Sequence, residues 1–115
     1  AEDFEDGLSL FWQPLGGNTT LHGTFSAPTP NPAPNSVNNS ANSGCYTLGT
    51  SAFSTLESFA AAPYDLSQYP QFNLDVRSPQ GGGTVLMILA SASGNKEAEA
   101  TVTTPGEWET LSFDF

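Results

Sequence analysis

One histidine, His22, and one cysteine, Cys45, are all the chain offers of the two side chains most used in nucleophilic and zinc chemistry. A Ser–His–Asp arrangement has to use His22, yet no serine lies in the strand-to-helix elbow that exposes a nucleophile. One His with one Cys makes a poor zinc set. Cys45 lies between Gly44 and Tyr46 with no cation nearby in sequence, so nothing stabilises a thiolate and a buried apolar role is expected. Glu107 and Glu109 alternate onto one face of a strand, whereas a glycosidase pair must flank a bond, usually from different strands. The "GGG" at 81–83 opens no helix and reads as a turn, not a phosphate cradle. The expectation is a protein that is not an enzyme.

Two residue sets suit binding instead. Asp3, Glu5 and Asp6 crowd hard oxygens into the first residues, and Asn38 and Ser40 in the Asn-rich stretch 31–40 add amide and hydroxyl oxygens. Calcium takes six to eight such oxygens, so Asp3, Glu5 and Asp6 with the Asn-rich loop suit it, the alternative being an acidic N-terminus with no ligand role. The second set is aromatic. Flat apolar faces with polar edges are what stacking on a sugar ring requires, and the candidates are Trp12, Tyr46, Phe53 and Trp108. Because Trp12 follows Phe11, one of the two faces outward; strict alternation puts Trp108 on the face opposite Leu111 and Phe113.

Charge narrows the partners. Twelve Asp and Glu against two Lys and Arg give a net charge of −10, which leaves almost nothing to neutralise a phosphate backbone or an anionic membrane. No run of eighteen apolar residues exists, so no membrane-inserted helix is expected. The opening "AED" suits a mature end left by signal cleavage, and hence secretion.

Strands must position these groups. At 115 residues the chain fits one domain, and its eleven Gly and nine Pro favour short strands joined by turns. "FNLDVRS" (72–78) and "EAEATVT" (97–103) alternate as half-buried strands. "VLMILAS" (85–91) is apolar on both faces and reads as a central strand, and "EWETLSFDF" (107–115) completes a four-strand meander. Earlier, "DFEDG" (3–7), "LSLFWQ" (8–13), "TLHGTF" (20–25), "CYTLGT" (45–50) and "FSTLESFAAA" (53–62) read as strands, and "APYDLSQYP" (62–70) as a short helical turn or crossover. The Pro- and Asn-rich stretch 31–44 is then a loop within one unit. The fold class expected is an all-β antiparallel sandwich of about eight strands.

The phrases "FEDG", "NPAPNSVNNS", "YDLSQYPQFNLDVRSPQGGG" and "TTPGEWETLSFDF", in that order, resemble the jelly-roll (galactose-binding-like) carbohydrate-binding modules of secreted bacterial polysaccharide-degrading enzymes. The resemblance implies a non-catalytic extracellular module that binds a polysaccharide or oligosaccharide, with a structural calcium held by Glu5 and the 31–40 loop, its ligand candidates here being Glu5, Asp3, Asn38 and Ser40. Modules of that kind carry a further strand beyond the "FDF" phrase. Its absence here implies an open sheet edge, and so a second expectation: a subunit of an extracellular filament or adhesin in which copies complement one another's sheets.

Overall fold

The structure, a computed structural model, describes residues 2–5, 10–60 and 62–115. Asp6, and with it residues 6–7 and 8–9 of the expected strands 3–7 and 8–13, therefore lie outside the described residues. Among the described residues there are eight strands, all paired antiparallel: β1 (Phe11–Pro14), β2 (Thr24–Pro30), β3 (Asn42–Thr47), β4 (Leu56–Phe59), β5 (Gln71–Arg77), β6 (Thr84–Ser91), β7 (Gly94–Thr101) and β8 (Trp108–Asp114). The protein is all-β, as its composition and alternation predict. Among the described residues no helix is long and apolar enough to cross a membrane.

The chain packs as two compact units, residues 1–32 with 40–63 and residues 33–39 with 64–115. In the first, β1 pairs with β4 around the β2–β3 hairpin; in the second, β5 pairs with β8 around the β6–β7 hairpin. Each unit is thus a long hairpin doubled over near its middle. This corrects the expected meander, in which β5 to β8 would pair in sequence. Alternation defines the faces of a strand but not its partner, and the two connections of the second unit decide the matter. Gly82 N–H donates to Val102 O at 2.9 Å and Gly106 N–H donates to Ser78 O at 2.6 Å, so the glycine-rich stretch runs beside the "TTPG" turn. Gly81 lies against the Pro105 ring, where any side chain would crowd it.

The second unit's core is Val102, Leu111 and Phe113, with Phe72, Val76, Val85 and Met87 among the residues packed on it. Both ladders contribute, because each sends alternate side chains inward. The β6–β7 turn is two residues long, Ser91 pairing with Gly94. β6 is also a correction: among the described residues it pairs only with β7, so it is not a central strand, and Leu86 and Ile88 on its outward face are exposed. Tyr64, Phe72 and Phe115 form two edge-on ring contacts at 5.3 and 5.6 Å. The expected helical turn at 62–70 is a single turn, with Asp65 Oδ1 accepting from Ser67 N at 3.0 Å and from its hydroxyl at 2.6 Å.

The first unit bends through residues 15–23 and 48–55. The expected strand 20–25 is instead a helical turn, α1 (Thr19–His22), followed by β2. Asn18 Oδ1 accepts from Leu21 N at 3.0 Å, capping the start, and Gly23 at φ 79 ends it. Gly23 also abuts Thr47 O and Gly49 N, leaving no room for a Cβ. Thr50 N and Ser51 N donate to Thr20 O and Leu21 O at 3.0 and 2.9 Å, fixing the two bends together.

Candidate functional site

Strand β1 places Phe11 and Trp12 on opposite faces, and pairing with β4 settles which is which. The register sets Phe11 opposite Phe59 and Gln13 opposite Glu57 on one face, with Trp12 opposite Ser58 on the other. Trp12 turns inward: its ring lies 5.6 Å from Phe25 and 6.5 Å from Phe4, and its Nε1–H donates to Glu2 Oε2 at 3.3 Å. That carboxylate also accepts from Leu10 N at 2.8 Å and Phe4 N at 3.3 Å. Gly44 on β3 is tight against the Phe25 ring, where a Cβ would sit 2.5 Å from Cζ. The pair therefore resolves with Phe11, not Trp12, facing outward.

Phe11 and Phe59 then form a cross-strand stack, centroids 6.0 Å apart and 29° between planes, and they are 58% and 57% exposed. Two residues along the same face, Glu57 is half-buried and held in place, its Oε2 accepting from Gly16 N at 2.7 Å. Gln13, its partner across the ladder, is half-buried beside it. The result is an apolar two-ring platform with a fixed carboxylate and an amide about 7 Å along the strands, two residues at ~3.3 Å each. This is what a sugar-binding face needs: flat apolar area for the ring's C–H surface and polar groups aimed at its hydroxyls.

The other aromatic candidates stand elsewhere. Tyr46 is half-buried and structural: its hydroxyl donates to His22 O at 2.6 Å and shares a 2.6 Å hydrogen bond with Ser54 Oγ. His22 joins the same bend, its Nδ1 accepting from Thr55 N at 3.2 Å. Phe53 is 81% exposed at the bend's tip, away from the β1–β4 ladder register. Trp108 is only 8% exposed, which corrects the outward position that strict alternation gave it. It begins β8, where the 33–39 segment packs into the same unit and Asn35 Nδ2 donates to Trp108 O at 3.3 Å. Cys45 is exposed on β3 rather than buried, opposite Ser26.

The oxygen ligands are partly gathered. Glu5 Oε1 accepts from Asn42 N at 2.8 Å, Asp3 Oδ1 accepts from Glu5 N at 3.1 Å, and Ser40 Oγ donates to Asn42 O at 3.2 Å. Glu5 and Ser40 thus meet at Asn42, the head of β3, three residues before the expected strand, while the Asp3 carboxylate reaches only the Glu5 backbone. Asn38 belongs to the second unit, where its N–H donates to Asn35 Oδ1 at 3.0 Å. Among the described residues no three His, Cys, Asp or Glu side chains form a metal-holding group.

Glu107 and Glu109, the other carboxylate pair, separate in role. Glu109 binds its own connection: Oε1 accepts from Thr103 N at 2.8 Å and from Thr104 N at 3.2 Å, and Oε2 accepts from Thr103 Oγ1 at 2.8 Å. Burial pulls its carboxyl upward, but these hydrogen bonds outweigh it and hold the group below the ordinary glutamate range. Glu109 therefore closes a turn.

Sequence reasoning missed Phe59, Gln13 and Glu57 as site residues. The alternation in "LFWQ" posed the choice between Phe11 and Trp12, but only the register with β4 names the ring that meets Phe11. Compared with protein-family models, curated proteins and solved structures, the chain matches none.

Proposed function

We propose that the chain is a non-catalytic, extracellular carbohydrate-binding module, a jelly-roll-like β-sandwich that binds a polysaccharide or oligosaccharide on the outward face of β1 and β4. The exposed Phe11–Phe59 stack carries the reading, because two adjacent solvent-facing rings held by a strand ladder present a flat apolar patch of the kind that marks a binding face. Gln13 and Glu57 supply polar contacts beside the rings. Phe53 offers a third exposed aromatic on the same unit; Trp12, Tyr46 and Trp108 act in the scaffold. Affinity electrophoresis through gels containing β-glucan, agar or alginate tests the reading. Retardation on at least one of them, abolished by Phe11→Ala with Phe59→Ala while the melting temperature stays within a few degrees, supports it. Unretarded migration in every gel overturns it.

Calcium belongs to the same proposal, held by Glu5, Asp3 and Ser40 at the head of β3. A ligand bound only by the native state raises stability, so EDTA should lower the melting temperature and added calcium restore it. A melting curve unmoved by EDTA removes the ion from the proposal.

A second reading has its own observation. Among the described residues the second edge of β6 is unpaired, and it runs through Thr84–Ser91 without a charge or a proline to discourage pairing. A filament or adhesin subunit that adds a copy's strand there is the alternative function. Sedimentation at rising concentration separates the two, since a monomer throughout excludes strand addition between copies.

A further inference from the structure

The carboxylate beside the ring platform points to a class of glycan. Glu57 is not a loose surface charge: the Gly16 N–H fixes one oxygen at 2.7 Å, and its second oxygen accepts no hydrogen bond among the described residues. Its partner across the ladder is neutral Gln13. The face therefore presents apolar rings, an amide and one fixed negative charge, in a molecule of net charge −10.

We propose that this face selects amino sugars: a β-linked glycan whose ammonium group meets Glu57 while a neighbouring ring stacks on Phe11 and Phe59. The inference rests on the carbohydrate-binding reading and deepens it. A uronate or sulfated glycan brings like charge to Glu57 and to the whole molecule, and like charges face to face are disfavoured. A neutral glycan keeps the stacking but meets Glu57 only through hydroxyls, without a charge pair. An amino glycan alone uses both. Glu57 is already positioned by Gly16, so less ordering of its side chain opposes the ion pair than at a mobile surface carboxylate.

The test pairs two probes that differ only at C2, the β-1,4-linked glucose tetramer and the fully deacetylated β-1,4-linked glucosamine tetramer, titrated calorimetrically into the whole chain in mildly acidic buffer at 0.15 M salt. The glucosamine tetramer should bind about three- to tenfold tighter, the range of a partly exposed charge-assisted contact. Glu57→Gln keeps an acceptor for Gly16 N and should bring the two affinities together. Glu99→Gln, a carboxylate on β7 in the other unit, should leave the preference intact. Equal affinities in the unaltered chain, a preference that survives Glu57→Gln, or an equal loss in Glu99→Gln each overturn the proposal and leave the carbohydrate reading standing. Binding of neither tetramer, or binding indifferent to Phe11→Ala with Phe59→Ala, overturns the site itself.

Discussion

At the scale of the residue, neighbours in sequence carry opposite burdens. Phe11 and Trp12 are adjacent aromatics, yet one is solvent-facing and the other sits among Phe4, Phe25 and the Glu2 carboxylate. Trp12→Ala should cost about 2–3 kcal/mol in denaturant unfolding, below the fully buried range because the ring is half-exposed. Phe11→Ala should cost less than about 1 kcal/mol and fall on ligand binding instead. Equal destabilisation by the two substitutions would refute the division of roles. Glu109 gives a pH signature. Its folded-state carboxyl lies below the ordinary range, so the folded chain binds its proton more weakly than the unfolded chain does. Its contribution is complete above the unfolded value and is lost as pH falls through the lowered folded value. Melting temperatures of the unaltered chain and of Glu109→Gln should therefore differ most at neutral pH and converge as pH falls below the ordinary glutamate range. Comparing the two isolates this group from the other carboxylates that discharge in the same window, and a constant difference down to pH 3 would contradict the assignment.

At the scale of the element, the bend of the first unit depends on small, specific contacts. Tyr46→Phe removes a hydroxyl that bonds both His22 O and Ser54 Oγ, and should cost about 1–2 kcal/mol because two half-buried partners lose it together. Gly23→Ala should be worse, since φ 79 disfavours any side chain and the Cβ would collide with Thr47 O. A chain that keeps its unfolding midpoint after Gly23→Ala would show that the two bends do not pack this way. The strands themselves were legible: alternation placed β5, β6 and β8 within a residue or two, because period-two burial is written locally. α1 was legible too, in Asn18 and Gly23 flanking "TTLH", but β-branched Thr and the apolar residues after it favoured a strand reading. What could not be read is who pairs with whom. β5 fits β6 or β8 equally well by alternation, and the choice rests on the crossing of residues 78–83 with 102–107, a contact across two dozen residues. The candidate site suffers the same blindness, since Phe59 becomes a site residue only through its register with Phe11.

At the scale of the whole molecule, charge acts everywhere at once. Twelve carboxylates and two cations leave the folded chain repelling itself, and compaction brings those charges closer than they are in the unfolded chain. Screening length falls from about 30 Å at 0.01 M salt to about 8 Å at 0.15 M, across the span of separations inside a small domain. Sodium chloride over that range should therefore stabilise the protein by about 1 kcal/mol, a rise of several degrees in melting temperature. The gain should flatten beyond about 0.3 M, where repulsion is already screened, and should vanish at acidic pH where the carboxylates discharge. Buried ladders and ring contacts respond little to salt, so the size of this gain measures how much of the instability is electrostatic. A melting temperature flat from 0.01 to 0.3 M would mean that the charges lie too far apart to oppose folding, and would also weaken the case that the molecule's field turns polyanionic glycans away from the β1–β4 face.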